Sequence, residues 1–369
     1  MTVSMRVMSA GDGYKYLLRT VVAADGDRPL STPLTRYYME AGTPPGRWLG
    51  EGVGSLGAGE LVVGDVVSEA QLQLLMGMGR DPISGDPLGL AFPVYKTPAE
   101  RIESRIADLD PALSPGRKGE VVAQIVAEET ARGTRRAVAG FDFTFSIPKS
   151  ASVLWAVADA GVQALIGEAH HRAVAEVVAF MAREVAATRT GATAGDGAVA
   201  QVDVTGLIAT AFDHFDSRAG DPHLHTHVVI SNKAKTVLDG KWRSLDGRPM
   251  HAAVVALSEL HEAVFADHMT RTFGVAWEAR DMGRDKNPAW AITGVPEELI
   301  AEFSTRARHI DAETDRLIAD YVTAHGRRPS PSTIMKLRAQ ATLSTRPEKN
   351  VRSPAELTAE WWTRAAKTL

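Results

Sequence analysis

Residues 212–230 have the sequence Phe212-Asp-His-Phe-Asp-Ser-Arg-Ala-Gly-Asp-Pro-His-Leu-His-Thr-His-Val-Val-Ile230. Aliphatic and β-branched residues dominate the second half of this stretch, which predicts a β-strand from His223 to Ile230. Because side chains alternate between the two faces of a strand, His223, His225 and His227 should point the same way. The stretch therefore predicts a sheet that carries a histidine cluster on one face.

A bound metal ion is the physical reason that we infer for this cluster. Neutral imidazoles gain little from one another and lose hydration when they are assembled, so a metal ion that they share would compensate the cost. Three nitrogen ligands leave coordination positions open, which is typical of catalytic rather than structural sites. The alternative is a set of surface histidines on an edge strand.

Composition limits the class of protein. The chain has 369 residues, of which 44% are hydrophobic, enough for one large domain or two smaller ones. It contains no cysteine, which excludes disulfides and thiolate metal sites. No secretory signal or membrane-spanning apolar run is found, so we expect a soluble cytoplasmic protein without a membrane segment. Because the net charge is −4, nucleic-acid binding would depend on local basic patches, such as those near Arg136 and from Arg327 to Arg352.

A second strand is predicted by the strict alternation of apolar and polar residues from Ala139 to Ile147. Phe141, Phe143 and Phe145 share one face, which we assign to the core, and Asp142 lies on the other. A carboxylate in this position commonly accepts the free ring N–H of a metal-bound histidine. The alternative for Asp142 is an exposed strand carboxylate.

Helices alternate with these strands. Apolar residues at helical spacing predict helices from Ala160 to Thr188 and from His251 to Phe273, and a further strand is predicted from Val199 to Val204. From Pro296 onward the chain is predicted to be helical, with breaks at Pro329 and Pro331. This mixture predicts an α+β fold, a central antiparallel sheet flanked by helices.

Tyrosines are unevenly distributed. The chain has only six, and four of them fall in the first forty residues: Tyr14, Tyr16, Tyr37 and Tyr38. A phenol, with a pKa of about 10, is a poor nucleophile unless a metal-bound phosphate and a nearby base favour the phenolate. Beside a histidine-bound metal these tyrosines suggest covalent phosphotyrosyl chemistry. Without the metal they would be ordinary packing or interface residues.

Three blocks of sequence together resemble a known family. They are Ser9-Ala-Gly-Asp-Gly-Tyr-Lys-Tyr16, followed by Tyr37-Tyr38 and Gly46-Arg-Trp-Leu-Gly50; Gly140-Phe-Asp-Phe-Thr-Phe-Ser-Ile-Pro-Lys-Ser150; and the histidine stretch that ends Leu224-His-Thr-His227. In this order the blocks resemble the relaxase domain of TrwC/TraI-type conjugative relaxases, the MobF group of HUH endonucleases. The resemblance runs from about Ser9 to Val295.

The resemblance implies roles for individual residues. The metal ligands would be His214, His225 and His227, and Asp142 would partner the site and take the proton of the attacking tyrosine. Tyr16 matches the first nucleophile, with Tyr14 as the alternative, and Tyr37 and Tyr38 match a second tyrosine pair. Two departures stand out: the first pair is split as Tyr-Lys-Tyr, and the interval to the second pair is longer than usual in the family.

The resemblance also implies an HUH palm-like sheet and a function. The expected activity is strand- and site-specific nicking and rejoining of single-stranded DNA at a plasmid origin of transfer during conjugation, through a 5′-phosphotyrosyl adduct. Mg²⁺ is the expected ion, although histidine ligands also admit Mn²⁺, Zn²⁺ or Ni²⁺. A DNA hairpin, relaxosome accessory proteins and a secretion coupling protein are the implied partners. Candidates for DNA phosphate contacts are Lys149, Arg218 and Arg136.

Two other functions fit the residues. One is a hydrolytic nuclease in which water on a metal ion held by three histidines replaces tyrosine as nucleophile, and the other is a non-catalytic single-stranded DNA-binding module.

We expect residues 1–295 to form the relaxase domain and residues 296–369 a helical extension that leads into a helicase domain outside this sequence. The sequence itself contains no Gly-x-x-x-x-Gly-Lys-Ser/Thr loop, so no ATPase activity is predicted for it.

Overall fold

A five-stranded antiparallel sheet forms the centre of the protein. The computed structural model describes residues 2–20, 44–191, 199–283, 286–347 and 352–369. The order of strands in the central sheet is β1-β3-β7-β6-β2, and β4–β5, β8–β9 and β10–β11 form three two-stranded sheets. The strands are β1 (Val3–Ser9), β2 (Arg47–Leu49), β3 (Val138–Ser146), β4 (Ala187–Thr190), β5 (Ala200–Asp203), β6 (Ala209–Asp216), β7 (Pro222–Ser231), β8 (Lys233–Lys235), β9 (Trp242–Ser244), β10 (Trp277–Arg280) and β11 (Ala289–Ile292).

Helices surround this sheet, so the predicted α+β fold with a central antiparallel sheet is confirmed. In the described ranges the α-helices are α1 (Glu69–Leu72), α2 (Pro98–Ala107), α3 (Pro115–Arg132), α4 (Lys149–Val157), α5 (Ala160–Glu184), α6 (Gly247–Ala252), α7 (Val254–Phe273), α8 (Glu297–Glu302), α9 (Thr305–His325), α10 (Pro331–Ser344) and α11 (Pro354–Thr368). A 3₁₀ helix, Asp12–Thr20, follows β1 directly. None of the described helices combines the length and apolarity that a membrane span requires.

The two faces of the sheet have different roles. Phe141, Phe143 and Phe145 of β3 pack with α5 residues such as Val174 and Val177 in a buried core, as the alternation predicted. Phe143 and Phe145 are fully buried, and each should contribute about 1.5–3 kcal/mol through burial of its ring. The same alternation places Asp142 on the opposite face, where the functional side chains lie.

The predicted helix from Ala160 to Thr188 is wrong at its end. Helix α5 ends at Glu184, where Val185 leaves helical geometry with φ −123° and ψ −41°. The following residues form β4, in which Thr188 pairs with Val202 of β5. Pairing with the next strand of the chain therefore overrides the local helical pattern, in a segment whose β-branched residues favour a strand.

The second helix prediction and the C-terminal one are correct in outline. The segment predicted from His251 to Phe273 contains all of α7 and only the last two residues of a short helix, α6, which ends before Ala253. After residue 296 the chain is helical, and the break between α9 and α10 falls where the prolines predicted it. Trp361 of α11 is buried with Val153 of α4 and Leu299 of α8, so the last helix packs on the element that follows β3.

Candidate active site

Three histidines, the ones that the resemblance named as metal ligands, meet on one face of the sheet. Strands β6 and β7 are antiparallel neighbours in which His214 lies opposite His225, and His227 is two residues further along β7. Their candidate ligand atoms all lie within 4.8 Å of one another. A Zn–N bond of about 2.0–2.1 Å places nitrogens on one ion roughly 3–3.5 Å apart, so small ring rotations would let the three rings hold a metal ion.

Hydrogen bonds orient two of these rings. The Nδ1 atom of His225 lies 2.7 Å from the carbonyl oxygen of His223, and Nδ1 of His227 lies 2.9 Å from Oδ1 of Asp142. In both cases the acceptor oxygen fixes the proton on Nδ1, which leaves Nε2 as the lone-pair nitrogen. This is the tautomer that a metal-binding histidine with an oxygen partner adopts.

Burial favours the neutral form of two histidines in the cluster, His225 and His223. It lowers the pKa of His225 well below the usual range, and the neighbouring His223 and His214 lower it further. Burial, followed by the charge of Lys149, lowers the pKa of His223 to about 4. Neutral imidazole is the form that binds a metal, so the ring of His225 is in the form that a ligand needs.

Tyr16 joins the site from the 3₁₀ helix. Its hydroxyl donates a short hydrogen bond to Oδ2 of Asp142, and its ring meets the edge of His227, with centroids 6.1 Å apart. Burial, followed by the negative charge of Asp142, raises the pKa of Tyr16 far above its ordinary value. The phenol is therefore protonated in this state and its proton already points at a carboxylate oxygen.

The other N-terminal tyrosines do not share this position. Tyr14 is buried in a second core cluster with Leu17 and Trp48. Residues two positions apart in a 3₁₀ helix are about 240° apart around its axis, so Tyr14 lies inside this cluster while Tyr16 packs at its edge and reaches Asp142. Tyr37 and Tyr38 lie outside the described residues, so their predicted role as a second pair stays a prediction.

The predicted DNA contacts have different environments. Lys149, the first residue of α4, donates from Nζ to the carbonyl of Pro222 at 2.6 Å, and burial lowers its pKa to about 8. Arg218, in the turn between β6 and β7, has Nη1 3.4 Å from the carbonyl of Pro347. Arg136 is exposed in the segment before β3. Their proposed contacts with phosphate remain predictions.

Sequence reasoning missed two charged residues next to the site. Arg6 of the edge strand β1 lies opposite Asp142 in the sheet, and its charge partly offsets the rise in the pKa of Tyr16. Finding it requires the pairing of β1 with β3, which local pattern does not give. Asp213 lies inside the histidine stretch itself, and its position directly before His214 was the available signal.

Comparison with known proteins identifies the family of the chain. A family model described as TrwC relaxase matches residues 10–368, so the match continues past residue 295 and through the helices that follow. The multifunctional conjugation protein TraI of Escherichia coli is 28% identical over 238 residues, which cover 62% of this chain. TraI of Escherichia coli strain K12 has the same identity and coverage. The match spans only 12% of the length of these relatives.

Solved structures show the same fold. Conjugative relaxase TrwC in a metal-bound complex with oriT DNA has a TM-score of 0.62 at 23% identity, covering 99% of this chain and 98% of that one. Its copper-bound complex with oriT DNA has a TM-score of 0.62 at 24% identity, with the same coverage. TrwC complexed with a 27-mer DNA that comprises the recognition hairpin and the cleavage site has a TM-score of 0.61 at 23% identity, again covering 99% and 98%.

Proposed function

The chain belongs to the TrwC relaxase family, and on that premise we propose that it cuts and rejoins one strand of DNA by transesterification. The proposed substrate is single-stranded DNA at the origin of transfer of a conjugative plasmid, with an adjoining hairpin. The name of the TraI relatives and the oriT complexes of TrwC support this choice of substrate. The proposed product is a 5′-phosphotyrosyl adduct together with a free 3′-hydroxyl.

The proposed nucleophile is the hydroxyl oxygen of Tyr16. It forms a bond to the scissile phosphorus while the bond from phosphorus to the 3′-oxygen breaks. The phenolic proton passes to Asp142, its hydrogen-bond acceptor, and the departing 3′-oxygen takes up a proton. Because one phosphodiester replaces another, the 3′-hydroxyl can later attack the adduct and restore the strand.

The three histidines are the proposed ligands of a divalent metal ion. Their donor set fits this role, because His225 and His227 each have Nδ1 engaged with an oxygen and Nε2 available. When bound, such an ion polarises the phosphodiester and neutralises charge on its non-bridging oxygens. We propose Mg²⁺ as the ion, and the imidazole donors also suit Mn²⁺, Zn²⁺ and Ni²⁺.

One observation carries the proposal, the continuous contact from Tyr16 through Asp142 to His227. The carboxylate accepts the proton of the proposed nucleophile on Oδ2 and the ring N–H of a proposed ligand on Oδ1, at 2.9 Å. A carboxylate so placed can orient both groups and accept a proton during attack. A hydrolase that uses metal-bound water would need no tyrosine at this position.

Covalent trapping tests the proposal. The full chain is incubated with a divalent ion and a randomised single-stranded oligonucleotide library that carries a 3′ fluorescent label. The wild type should give a label that migrates with the protein in SDS, because the 5′ phosphate of the labelled fragment stays on the protein. Tyr16→Phe should lose this adduct and retain DNA binding, whereas the matched control Tyr14→Phe should retain both.

The same assay distinguishes the other candidate functions. Shortened oligonucleotides without a protein adduct would favour hydrolysis by metal-bound water. Binding without any strand cleavage would favour a DNA-binding module. Loss of the adduct in Tyr14→Phe but not in Tyr16→Phe would move the nucleophile by two residues.

The remaining partners are also proposals. We propose that Lys149, Arg218 and Arg136 contact DNA phosphates, and that Tyr37 and Tyr38 act in a second strand transfer. Relaxosome accessory proteins and a secretion coupling protein are further proposed partners, and residues 1–295 are the proposed relaxase unit. Replacing a phosphate-contacting cation should reduce the salt dependence of DNA binding by about one unit of slope, which tests each of the three cations separately.

A further inference from the structure

A buried carboxylate lies behind the histidine cluster. Asp213 directly precedes His214 in β6, and alternation turns its side chain to the helix-covered face of the sheet. Its Oδ2 accepts from Nη1 of Arg47 at 2.7 Å and lies 3.0 Å from Nε2 of His171. Asp213 is only 6% exposed, and its carboxylate forms an ion pair with Arg47. The carboxylate is thus a buried charge that depends on its partners.

Thr226 connects this carboxylate to the other ligand strand. It lies between His225 and His227 in β7 and pairs with Asp213 across the sheet. Its hydroxyl donates to Oδ1 of Asp213 at 2.5 Å. The same hydroxyl lies 2.9 Å from Nε2 of His170, from which it can accept because its own proton is already used. Asp213 and Thr226, which are chain neighbours of the proposed ligands, are therefore hydrogen-bonded to each other on the reverse face of the sheet.

Arg47 brings a sequence block to this network. It belongs to Gly46-Arg-Trp-Leu-Gly50, which has no part in the proposed chemistry, and β2 pairs with β6 so that Arg47 lies opposite Ala211. The block is tightly packed: a Cβ at Gly46 would lie 2.3 Å from the ring of Phe212. The side chain of Arg47 is 29% exposed, whereas the side chain of its partner Asp213 is only 5% exposed. Arg47 thus reaches from an edge strand into the interior.

We propose that Arg47 and Thr226 are positioning residues that act through Asp213 to fix the spacing of His214 against His225 and His227. A buried charge that loses a partner is strongly unfavourable. The hydrogen bonds of Asp213 therefore favour one relative position of β6 and β7, the position in which Asp213 stays paired with Arg47 and Thr226. His214 directly follows Asp213 in β6, and His225 and His227 are the two chain neighbours of Thr226 in β7. The inference rests on the proposed metal-binding role of the three histidines.

Cobalt binding tests this role without relying on activity. The full chain is titrated with Co²⁺ by calorimetry, and the visible spectrum of the bound ion reports its coordination. Thr226→Val, which removes the hydroxyl at nearly constant volume, should raise the Co²⁺ Kd about 10-fold, the lower end of the range for groups that orient ligands, and should change the spectrum. Thr226→Ser, which keeps the hydroxyl, should restore both towards the wild type.

A matched variant controls for loss of a buried strand hydroxyl. Thr210 of β6 is fully buried, and its Oγ1 has no hydrogen-bond partner among the described residues, so Thr210→Val should leave Co²⁺ affinity unchanged. If Thr226→Val does not fold, Arg47→Gln at the partly exposed end of the network decides. It should raise the Kd in the same direction by several-fold, within the effects known for outer partners of ligands.

Two results would overturn the inference, and they have different meanings. If folded Thr226→Val and Arg47→Gln bind Co²⁺ with the affinity and spectrum of Thr210→Val, the network does not position the ligands. Lower melting temperatures of these two variants would then show that it only stabilises the fold. If the wild type itself binds no Co²⁺ at the histidines, the proposed metal site fails and this inference fails with it. Only the first result leaves the proposed function standing.

Discussion

Replacing Asp142 with asparagine removes the charge at the centre of the site and little else. The side chain keeps its shape, and its residue is only 4% exposed. At present one oxygen accepts from Tyr16 and the other from Nδ1 of His227 at 2.9 Å. An amide offers one acceptor oxygen for these two donors, and its NH₂ group would face a site that needs no further donor.

The magnitude follows from the two hydrogen bonds. A hydrogen bond to a charged group contributes about 1.5–3 kcal/mol, against about 0.5–1.5 kcal/mol for a neutral one. Asparagine keeps one of these bonds in neutral form, which costs about 1 kcal/mol, and loses the other, which costs about 1.5–3 kcal/mol, so the free energy of unfolding should fall by about 3 kcal/mol. For the metal we expect about 10–100-fold weaker binding, because the carboxylate no longer orients His227 or increases its basicity.

Two measurements on Asp142→Asn check this expectation. Calorimetric titration with Mn²⁺ gives the metal affinity, and urea unfolding gives the stability. The matched control is Asp81→Asn, since Asp81 is also buried but accepts backbone N–H groups of Gly57, Ile83 and Ser84. That control should lose stability without losing metal affinity. Unchanged Mn²⁺ affinity in Asp142→Asn, together with normal adduct formation, would refute the proposed link between this carboxylate and the histidines.

Three further variants probe the site and its supports. His225→Ala should abolish adduct formation and metal binding with little change in circular dichroism, because the site has only three protein ligands; near-normal cleavage with unchanged metal content would contradict this. Arg364→Ala removes the 2.9 Å ion pair between Arg364 and Asp221, a residue that is only 1% exposed. The free energy of unfolding should fall by about 3 kcal/mol. A loss under about 1 kcal/mol, the range of surface ion pairs, would show that this contact contributes little to stability. Gly140→Ala places a Cβ 2.3 Å from a backbone oxygen of β7 and should cost about 1–3 kcal/mol; Gly116→Ala, with open space around it, is the control, and equal melting temperatures for the two would contradict the clash.

The histidine face and the side of β3 that carries Asp142 could be predicted because both depend on the two-residue period of a strand. That period is local, so no knowledge of the rest of the fold is needed. The contact between Tyr16 and Asp142 is different, because it joins residues 126 positions apart. Only the resemblance to a family suggested it, and only the structure separates Tyr16 from the buried Tyr14.

Other features depended on pairing between strands. The end of α5 was misassigned because the pairing of Thr188 with Val202 in β4 and β5 competes with a helical pattern. Arg6 was missed because β1 reaches Asp142 only through the order of strands in the sheet. Asp213 directly precedes His214 in the sequence. Its partner Arg47 comes from another strand, however, so the local pattern cannot predict that ion pair.

The most direct test of the central claim is to identify the residue that carries the DNA. The covalent adduct from the oligonucleotide library is digested with nuclease and protease, and the modified peptide is sequenced by mass spectrometry. The proposed mechanism predicts a nucleotide phosphate on Tyr16, in the peptide that begins after Lys15. A modified Tyr14, Tyr37 or Tyr38 in its place, or cleaved DNA with no modified tyrosine, would contradict it.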